Sequence, residues 1–377
     1  MVTAPLATDD VLRAMAVITE LDPGGAERAL LETWTRLPET WPRHVICLGP
    51  ETPLAGRFRE AGIRVSCLNV SLLSFPIAVW RVRRQLRNFR ADVVQTWLFH
   101  ANIVGRLAAA GLGVPVVATH RVAEREKVWH CRFERRTGWL VRSHVAVSES
   151  VAQFLRVQKV VRPAARIDVI PNGVDIEPAG TNDRGRDQNR VVAAGRLHRQ
   201  KGFDVLLEAW PAIAHQHPQA RLTIYGEGPE REALEATLRR HGGATGAAVS
   251  LPGRTDDLVS ILERSGVFVL SSRWEGMPNV VLEAAATGCP IVATDVDGVR
   301  EVVGDRAALV RPDDPEALSA AICGLLADPE RWLATSQSLQ SHVRQNFTWT
   351  ATAMATARVL CTAAGRDPEG ISESPLT

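Results

Sequence analysis

Short apolar runs alternate with amphipathic helical stretches twice along the chain, and this predicts an α/β fold of two doubly wound parallel sheets. Three observations carry that expectation. Candidate strands in the first half fall at 13–19, 44–48, 65–68, 92–96, 114–119, 144–147 and 167–170. The second half repeats the plan at 191–196, 222–225, 249–251, 267–271, 291–294 and 308–310. Between the two sets lies a polar stretch with little apolar periodicity, opened by Pro171, Asn172 and Gly173. The domain reading is therefore a first doubly wound domain at 1–175, a linker at 176–190 and a second doubly wound domain at 191–328. A helical region at 329–362 is expected to cross back to the first domain, and 363–377 to form a polar tail. Ligands of doubly wound sheets bind outside the carboxyl ends of the strands, so the site is expected in a cleft between the two domains.

Length and composition agree with this division. The 377 residues are 45% hydrophobic and 23% charged, a globular balance large enough for two cores. No apolar run approaches the roughly 20 residues of a membrane span, and the N-terminus lacks a basic-flanked apolar signal core. These features point to the cytoplasm. Cys47, Cys67, Cys131, Cys289, Cys323 and Cys361 form no C-x2-C pair, and read as buried thiols of a reducing compartment. Net charge is +2, yet residues 76–142 hold 13 Lys and Arg against 4 Asp and Glu. One basic face suits an anionic surface or substrate, with solvated helix faces as the plainer alternative.

The first element ends at Gly24-Gly25-Ala26-Glu27, where two glycines let backbone amides approach a ligand at a helix start; a structural turn is the other reading. His100 follows the strand at 92–96, which puts an imidazole at a carboxyl end. His120, after 114–119, is a weaker candidate of the same kind. In the second half, 191–196 runs into Gly195-Arg196-Leu197-His198-Arg199-Gln200-Lys201-Gly202. Arg196 and Lys201, five residues apart in a loop at a strand's end, can meet a diphosphate. Only Lys127, Lys159 and Lys201 are lysines in this arginine-rich chain, consistent with a compact point charge at 201. The loop is no Walker A motif, and neither sheet carries G-x-G-x-x-G, which disfavours ATP hydrolysis and weakens a nicotinamide reading. Farther on, Glu275 and Glu283 bracket a helix start near Asn279. Free amides and the positive dipole end there suit a phosphate, and flanking glutamates can grip the hydroxyls of its carrier. Asp295-Val296-Asp297 spells D-x-D, but two spaced aspartates make a thin metal site, and it reads as a turn.

Taken together, GGAER, FHAN, VIPNGVD, GRLHRQKGFDVLLEA and EGMPNVVLEA in this order resemble the retaining family-four glycosyltransferases of GT-B fold, two doubly wound Rossmann-like domains facing across a cleft. The resemblance spans nearly the whole chain, and its C-terminal motifs are the more specific. It implies that Arg196 and Lys201 hold the donor diphosphate, Glu283 the ribose and Glu275 the hydroxyls of the donor sugar. The backbone at Gly276, Met277, Pro278, Asn279 and Val280 would complete the phosphate contacts. Gly24 and Gly25 would close on the diphosphate, His100 would lie beside the reacting sugar, and Arg254 would contact the base. The implied catalytic set is Glu275, His100, Arg196 and Lys201, with no metal and no cofactor beyond a nucleotide-sugar donor, a UDP-sugar before a GDP- or ADP-sugar.

Implied partners are that donor and a glycan or lipid-linked acceptor of the cell envelope, without nucleic acid. Arginine interleaved with Trp and Leu from Trp80 to Arg87, and with Trp, Phe and Leu from Trp129 to Arg142, suits an anionic lipid surface. Peripheral binding at the inner face of the cytoplasmic membrane is the corresponding expectation. The rivals are a sugar-nucleotide epimerase of the same architecture, which product analysis separates, a nicotinamide-dependent oxidoreductase, and a non-catalytic sugar-nucleotide sensor.

Overall fold

The computed structural model describes residues 11–22, 24–70, 74–175, 185–241 and 248–368. It divides into two compact units, Met1–Gly173 with Trp349–Thr377, and Val174–Thr348. In the first unit the strands are β1 (Ala14–Ile18), β2 (Arg43–Cys47), β3 (Arg64–Cys67), β4 (Val93–Trp97), β5 (Val116–His120), β6 (Ser143–Ala146) and β7 (Ile167–Val169). All pair in parallel in the order β3-β2-β1-β4-β5-β6-β7. The order reverses between β1 and β4, whose register matches Ile18 to Trp97. A reversal sends the connecting helices to opposite faces and opens a crevice at the carboxyl ends.

The helices of this unit are α1 (Gly25–Thr35), α2 (Pro53–Glu60), α3 (Phe75–Phe89), α4 (Phe99–Ala109), α5 (Val128–Thr137) and α6 (Glu149–Val157). Strands β1, β4 and β5 are buried throughout, which is why apolar residues dominate them, with Gln95, Thr96, Thr119 and His120 as buried polar exceptions. α3 buries Ala78, Val82 and Leu86 on one stripe, spaced by four, and leaves Ile77 and Trp80 about half exposed. α5 exposes Trp129 and Phe133 beside Arg132, Arg135 and Arg136.

α4 is buried along nearly its whole length and carries polar groups into the core. Arg106, 0% exposed, lies 3.5 Å from the Glu134 carboxylate on α5 and donates to its backbone carbonyl at 3.1 Å and to Thr137 Oγ1 at 3.0 Å. Asn102 Nδ2 donates to Glu134 Oε1 at 3.0 Å. His120 Nδ1 lies 3.6 Å from Glu134, and its Nε2 is 3.1 Å from His144 Nδ1. Burial pushes the His120 pKa down to about 3 and lowers His144, so both rings are neutral near pH 7.

The second unit holds β8 (Asp187–Ala194), β9 (Arg221–Tyr225), β10 (Val249–Gly253), β11 (Ser265–Leu270), β12 (Ile291–Thr294) and β13 (Ala308–Val310), all parallel in the order β10-β9-β8-β11-β12-β13. Here the reversal lies between β8 and β11. Its helices are α7 (Phe203–Gln216), α8 (Arg231–His241), α9 (Leu258–Glu263), α10 (Asn279–Ala286), α11 (Val299–Val303), α12 (Pro315–Ala327) and α13 (Pro329–Asn346); α14 (Trp349–Ala363) returns to the first unit and packs on α1.

Two boundaries differ from the sequence reading. β8 starts at Asp187, inside the stretch read as linker; residues 176–184 of that stretch lie outside the described residues. Asp187, Gln188 and Asn189 are exposed, so pairing of Asp187 with Ser265 rather than apolar content extends the strand. The region 329–362 is two helices, parted at Phe347 and Thr348, and α14 runs to Ala363 within the stretch read as tail; 369–377 lie outside the described residues.

Candidate functional site

Both reversal points carry the residues that the sequence singles out. In the second unit the loop after β8 meets the loop after β11. Lys201 ends a short 3-10 turn, Arg199–Lys201, and its Nζ lies 2.6 Å from Glu275 Oε1. Ser272 Oγ donates to the same oxygen at 2.7 Å. Glu275 is 5% exposed, so its charge is held by a cation and a hydroxyl rather than by water.

The backbone beneath this pair is tied down on both sides. Ser271 Oγ donates to the Lys201 carbonyl at 2.9 Å, and Gln200 Nε2 to the Trp274 carbonyl at 2.9 Å. Gly202 has φ +60 and caps α7; a Cβ there would run into the Ser271 carbonyl. Only glycine combines that left-handed turn with that approach. Arg273 reaches the Arg199 carbonyl at 2.7 Å, both oxygens of Asp204 on α7 at 2.9 and 2.7 Å, and Asp313 at 2.6 Å. One guanidinium thereby fixes the relative placement of two loops and a helix start.

Glu275 leads through Gly276 and Met277 to Pro278, the cap of α10, whose own side chain makes no capping bond. Asn279 and Val280 open the helix, and Glu283, 3% exposed, lies one turn on. Gly298, φ +75, packs against the Gly276 carbonyl so closely that a Cβ would collide with it. That contact accounts for the turn after Asp297, and Asp295 itself pairs with Arg300 at 3.0 Å. Among the described residues, no group of three or more His, Cys, Asp or Glu is disposed to hold a metal ion. Arg196 is exposed on the loop after β8, and Arg254 is exposed beyond β10, close enough to Glu227 to act on its carboxylate.

In the first unit, Gly24 caps α1 after β1, and Gly25 is its first residue. A Cβ on Gly24 would press on the Glu27 carboxylate. Burial pushes Glu27 up to about 7, with Glu20 and Asp22 adding to the rise and Arg121 opposing it. Arg121 stacks over Trp97, 5.1 Å from the ring centre, and bonds to Asn172. His100 is the second residue of α4, entered through Leu98 at φ 69, an unfavourable conformation for leucine. Burial lowers the His100 pKa, and His130 and Lys127 lower it further.

The structure thus joins Lys201 to Glu275, and sets Gly24, Gly25 and His100 around the β1/β4 reversal. It removes His120 as a cleft candidate: that ring is 6% exposed and turned to His144 and Glu134. Sequence reasoning missed Ser272, Arg273 and Arg121, whose partners lie mostly far along the chain; the Asn in the VIPNGVD motif was the one available hint of the last.

Residues 23–178 match a family model described as Glycosyltransferase Family 4, and residues 188–328 one described as glycosyl transferases group 1. The glycogen synthase of Mycobacterium tuberculosis is 30% identical over 290 residues, 72% of this chain and 69% of that protein. An Escherichia coli UDP-Gal:α-D-GlcNAc-diphosphoundecaprenol α-1,3-galactosyltransferase is 29% identical over 303 residues, 73% of this chain and 77% of the other. Among solved structures, Anabaena HepE in complex with UDP superposes with a TM-score of 0.80 at 19% identity, over 93% of this chain and 100% of that one.

Proposed function

The chain belongs to the family-4 glycosyltransferases of GT-B fold, and on that premise we propose that it transfers a hexosyl or related group, with retention of configuration, from a nucleotide sugar to a glycan or lipid-linked acceptor of the cell envelope. The observation that carries this reading is the Lys201–Glu275 pair beside the start of α10. Arg196 and Lys201 take the donor diphosphate, together with backbone groups at Gly276, Met277, Pro278, Asn279 and Val280. Glu283 holds the ribose, Glu275 the hydroxyls of the donor sugar, and Arg254 the base. Gly24 and Gly25 offer amides to the diphosphate, and His100 lies beside the reacting sugar.

Cleaving the bond between the anomeric carbon and the phosphate oxygen builds negative charge on the leaving diphosphate, which keeps the electron pair. The acceptor oxygen bonds to that carbon on the same face, and its proton passes to the leaving phosphate. Fixed cations and amides aimed at the diphosphate stabilise the charge as it develops. UDP as the carrier is supported by the UDP-Gal named for the E. coli relative and by HepE in complex with UDP-glucose.

A thermal-shift series with UDP-, GDP- and ADP-sugars tests the donor. One nucleotide should raise Tm in a concentration-dependent way, by about 2.7 kcal/mol of stabilisation at 100 times Kd. Glu283→Ala should abolish the shift, while Glu275→Ala should lower turnover more than nucleotide affinity. Wild-type affinity in Glu283→Ala would remove the ribose role.

The exposed Trp80, Trp129, Phe133 and Trp139 among arginines favour a second element of the proposal, peripheral attachment to anionic lipid at the inner face of the cytoplasmic membrane. No helix among the described residues is long and apolar enough to cross a membrane. Co-sedimentation with vesicles should rise with the anionic lipid fraction and fall when Arg132, Arg135 and Arg136 are all changed to Gln. Equal binding to neutral vesicles would count against it.

A further inference from the structure

A cavity of about 400 Å³ opens at the carboxyl ends of β1 and β2 in the first unit. Its floor is apolar, formed by Leu48, Val70, Phe75, Ala78 and Val104. The polar residues that line it are Thr19, Glu20, Asp22, Thr52 and His100; Thr52 Oγ1 already donates to the Leu21 carbonyl at 2.7 Å and Thr19 Oγ1 accepts from the Ala101 amide at 3.3 Å. No lysine or arginine is among the described residues that line it. The size is that of a small-molecule site, roughly 300–1,000 Å³, and an apolar floor with few polar groups is the usual lining of one.

The charge of the lining restricts the ligand. Glu20 and Asp22 are exposed on the loop between β1 and α1, and as carboxylates they accept hydrogen bonds from hydroxyls and repel anions. Their field is felt nearby, since both help to raise the buried Glu27. Arg121 faces Glu27 and is occupied by Asn172 and Trp97. His100, lowered by burial, adds a neutral ring near pH 7. Hydroxyl donors at the rim and C–H surface on the floor describe a sugar ring without an ionised substituent.

We propose that this cavity receives the accepting sugar as an uncharged ring and rejects rings that bear a phosphate or a carboxylate. The inference rests on the glycosyltransferase reading above, through His100, which lines the cavity and is assigned to the reacting sugar. It separates two kinds of acceptor: an uncharged glycan terminus, and a sugar joined directly to a diphosphate lipid, as in the compound named for the E. coli relative. The first suits the cavity and the second does not.

The test uses the full-length chain with UDP at pH 7.5 and ligand-observed saturation-transfer NMR. The probes are methyl glucoside, methyl galactoside and methyl N-acetylglucosaminide against glucose 6-phosphate and glucuronate. At least one neutral glycoside should bind, with the anionic probes at least tenfold weaker. Pro50→Trp, an exposed change at the mouth, should abolish that binding, and Ala78→Trp should do so from the floor if its melting curve shows a folded protein. Glu20→Gln with Asp22→Asn should raise binding of the anionic probes at least fivefold. Equal binding of both classes, binding that survives Pro50→Trp, unchanged rejection of anions in the double variant, or no binding by any neutral glycoside would each overturn the proposal. The nucleotide-sugar thermal shift of the wild type, measured alongside, keeps the two failures apart. Retained with any of those outcomes, it sinks the cavity assignment alone; lost, it sinks the donor reading.

Discussion

Lys201→Ala is expected to lower kcat/KM by about 10²–10³-fold, the scale seen when one preorganised group that stabilises transition-state charge is removed. Lys201 Nζ is held 2.6 Å from Glu275, on a turn locked by Ser271 and Gln200, so its charge needs little reorganisation when the diphosphate leaves. Lys201→Arg should restore little, because a planar fork does not replace a compact ammonium whose stem packs over Gly195, where an added Cβ would lie 3.3 Å from Lys201 Cε. A purely structural role predicts something else: loss of stability, from a buried carboxylate deprived of its cation. Lys201→Met combined with Glu275→Gln tests the structural part: it removes the stranded charge while the Gln oxygen still accepts from Ser272, so stability should return, whereas Lys201→Ala with Glu275 intact reads the catalytic part. Steady-state kinetics and melting temperatures of the wild type and these variants decide it. Turnover of Lys201→Ala within threefold of wild type would remove Lys201 from the catalytic set.

The pairing at the centre of that prediction was only half legible in the sequence. Each partner sits in a local motif, a glycine-bounded loop for Lys201 and a helix start for Glu275, and local chemistry pointed to both. Their contact depends on the strand order β8-β11, which brings residues 74 apart in sequence side by side. Arg273 was invisible for the same reason: its partners Asp204 and Asp313 are 69 and 40 residues away, and in an arginine-rich chain nothing local marks it. The strands were legible because parallel strands covered on both faces are mostly apolar, as β1 and β12 are; β4 carries Gln95 and Thr96 inside only because Trp34, Thr119 and Asn102 satisfy them. β8 was read short because its first residues are polar and exposed, and their strand character comes from the neighbouring strand. His120 was misread by the same logic. A histidine at a carboxyl end suggests a cleft, but on β5 the ring turns inward to neighbours that only the fold assembles.

Glu134→Ala is expected to destabilise the first unit by about 3–5 kcal/mol, the cost of leaving a buried ion without its partner. Arg106 would be that ion. It is fully buried, its Nε has no hydrogen-bond partner among the described residues, and among them its Nη2 relies on the 3.5 Å approach to Glu134 rather than on a formed hydrogen bond. The carboxylate also accepts from Asn102, so its removal leaves a second donor unsatisfied. The attraction between the two charges is opposed by their desolvation: burial raises the Glu134 pKa even though Arg106 lowers it, and burial likewise lowers Arg106. Replacing both partners with apolar residues of similar volume, Arg106→Met with Glu134→Leu, should therefore cost far less than either change alone and bring stability close to wild type. Urea unfolding of the wild type, the two single variants and the double variant gives the coupling directly. If the double variant loses the sum of the two single losses, the pair is not coupled, and α4 is held to α5 by packing and by the remaining bonds to Thr137. If it recovers, residues 102–137 form a polar lock whose members depend on one another. α4 would then owe its rigid placement, with His100 at its start, to that lock.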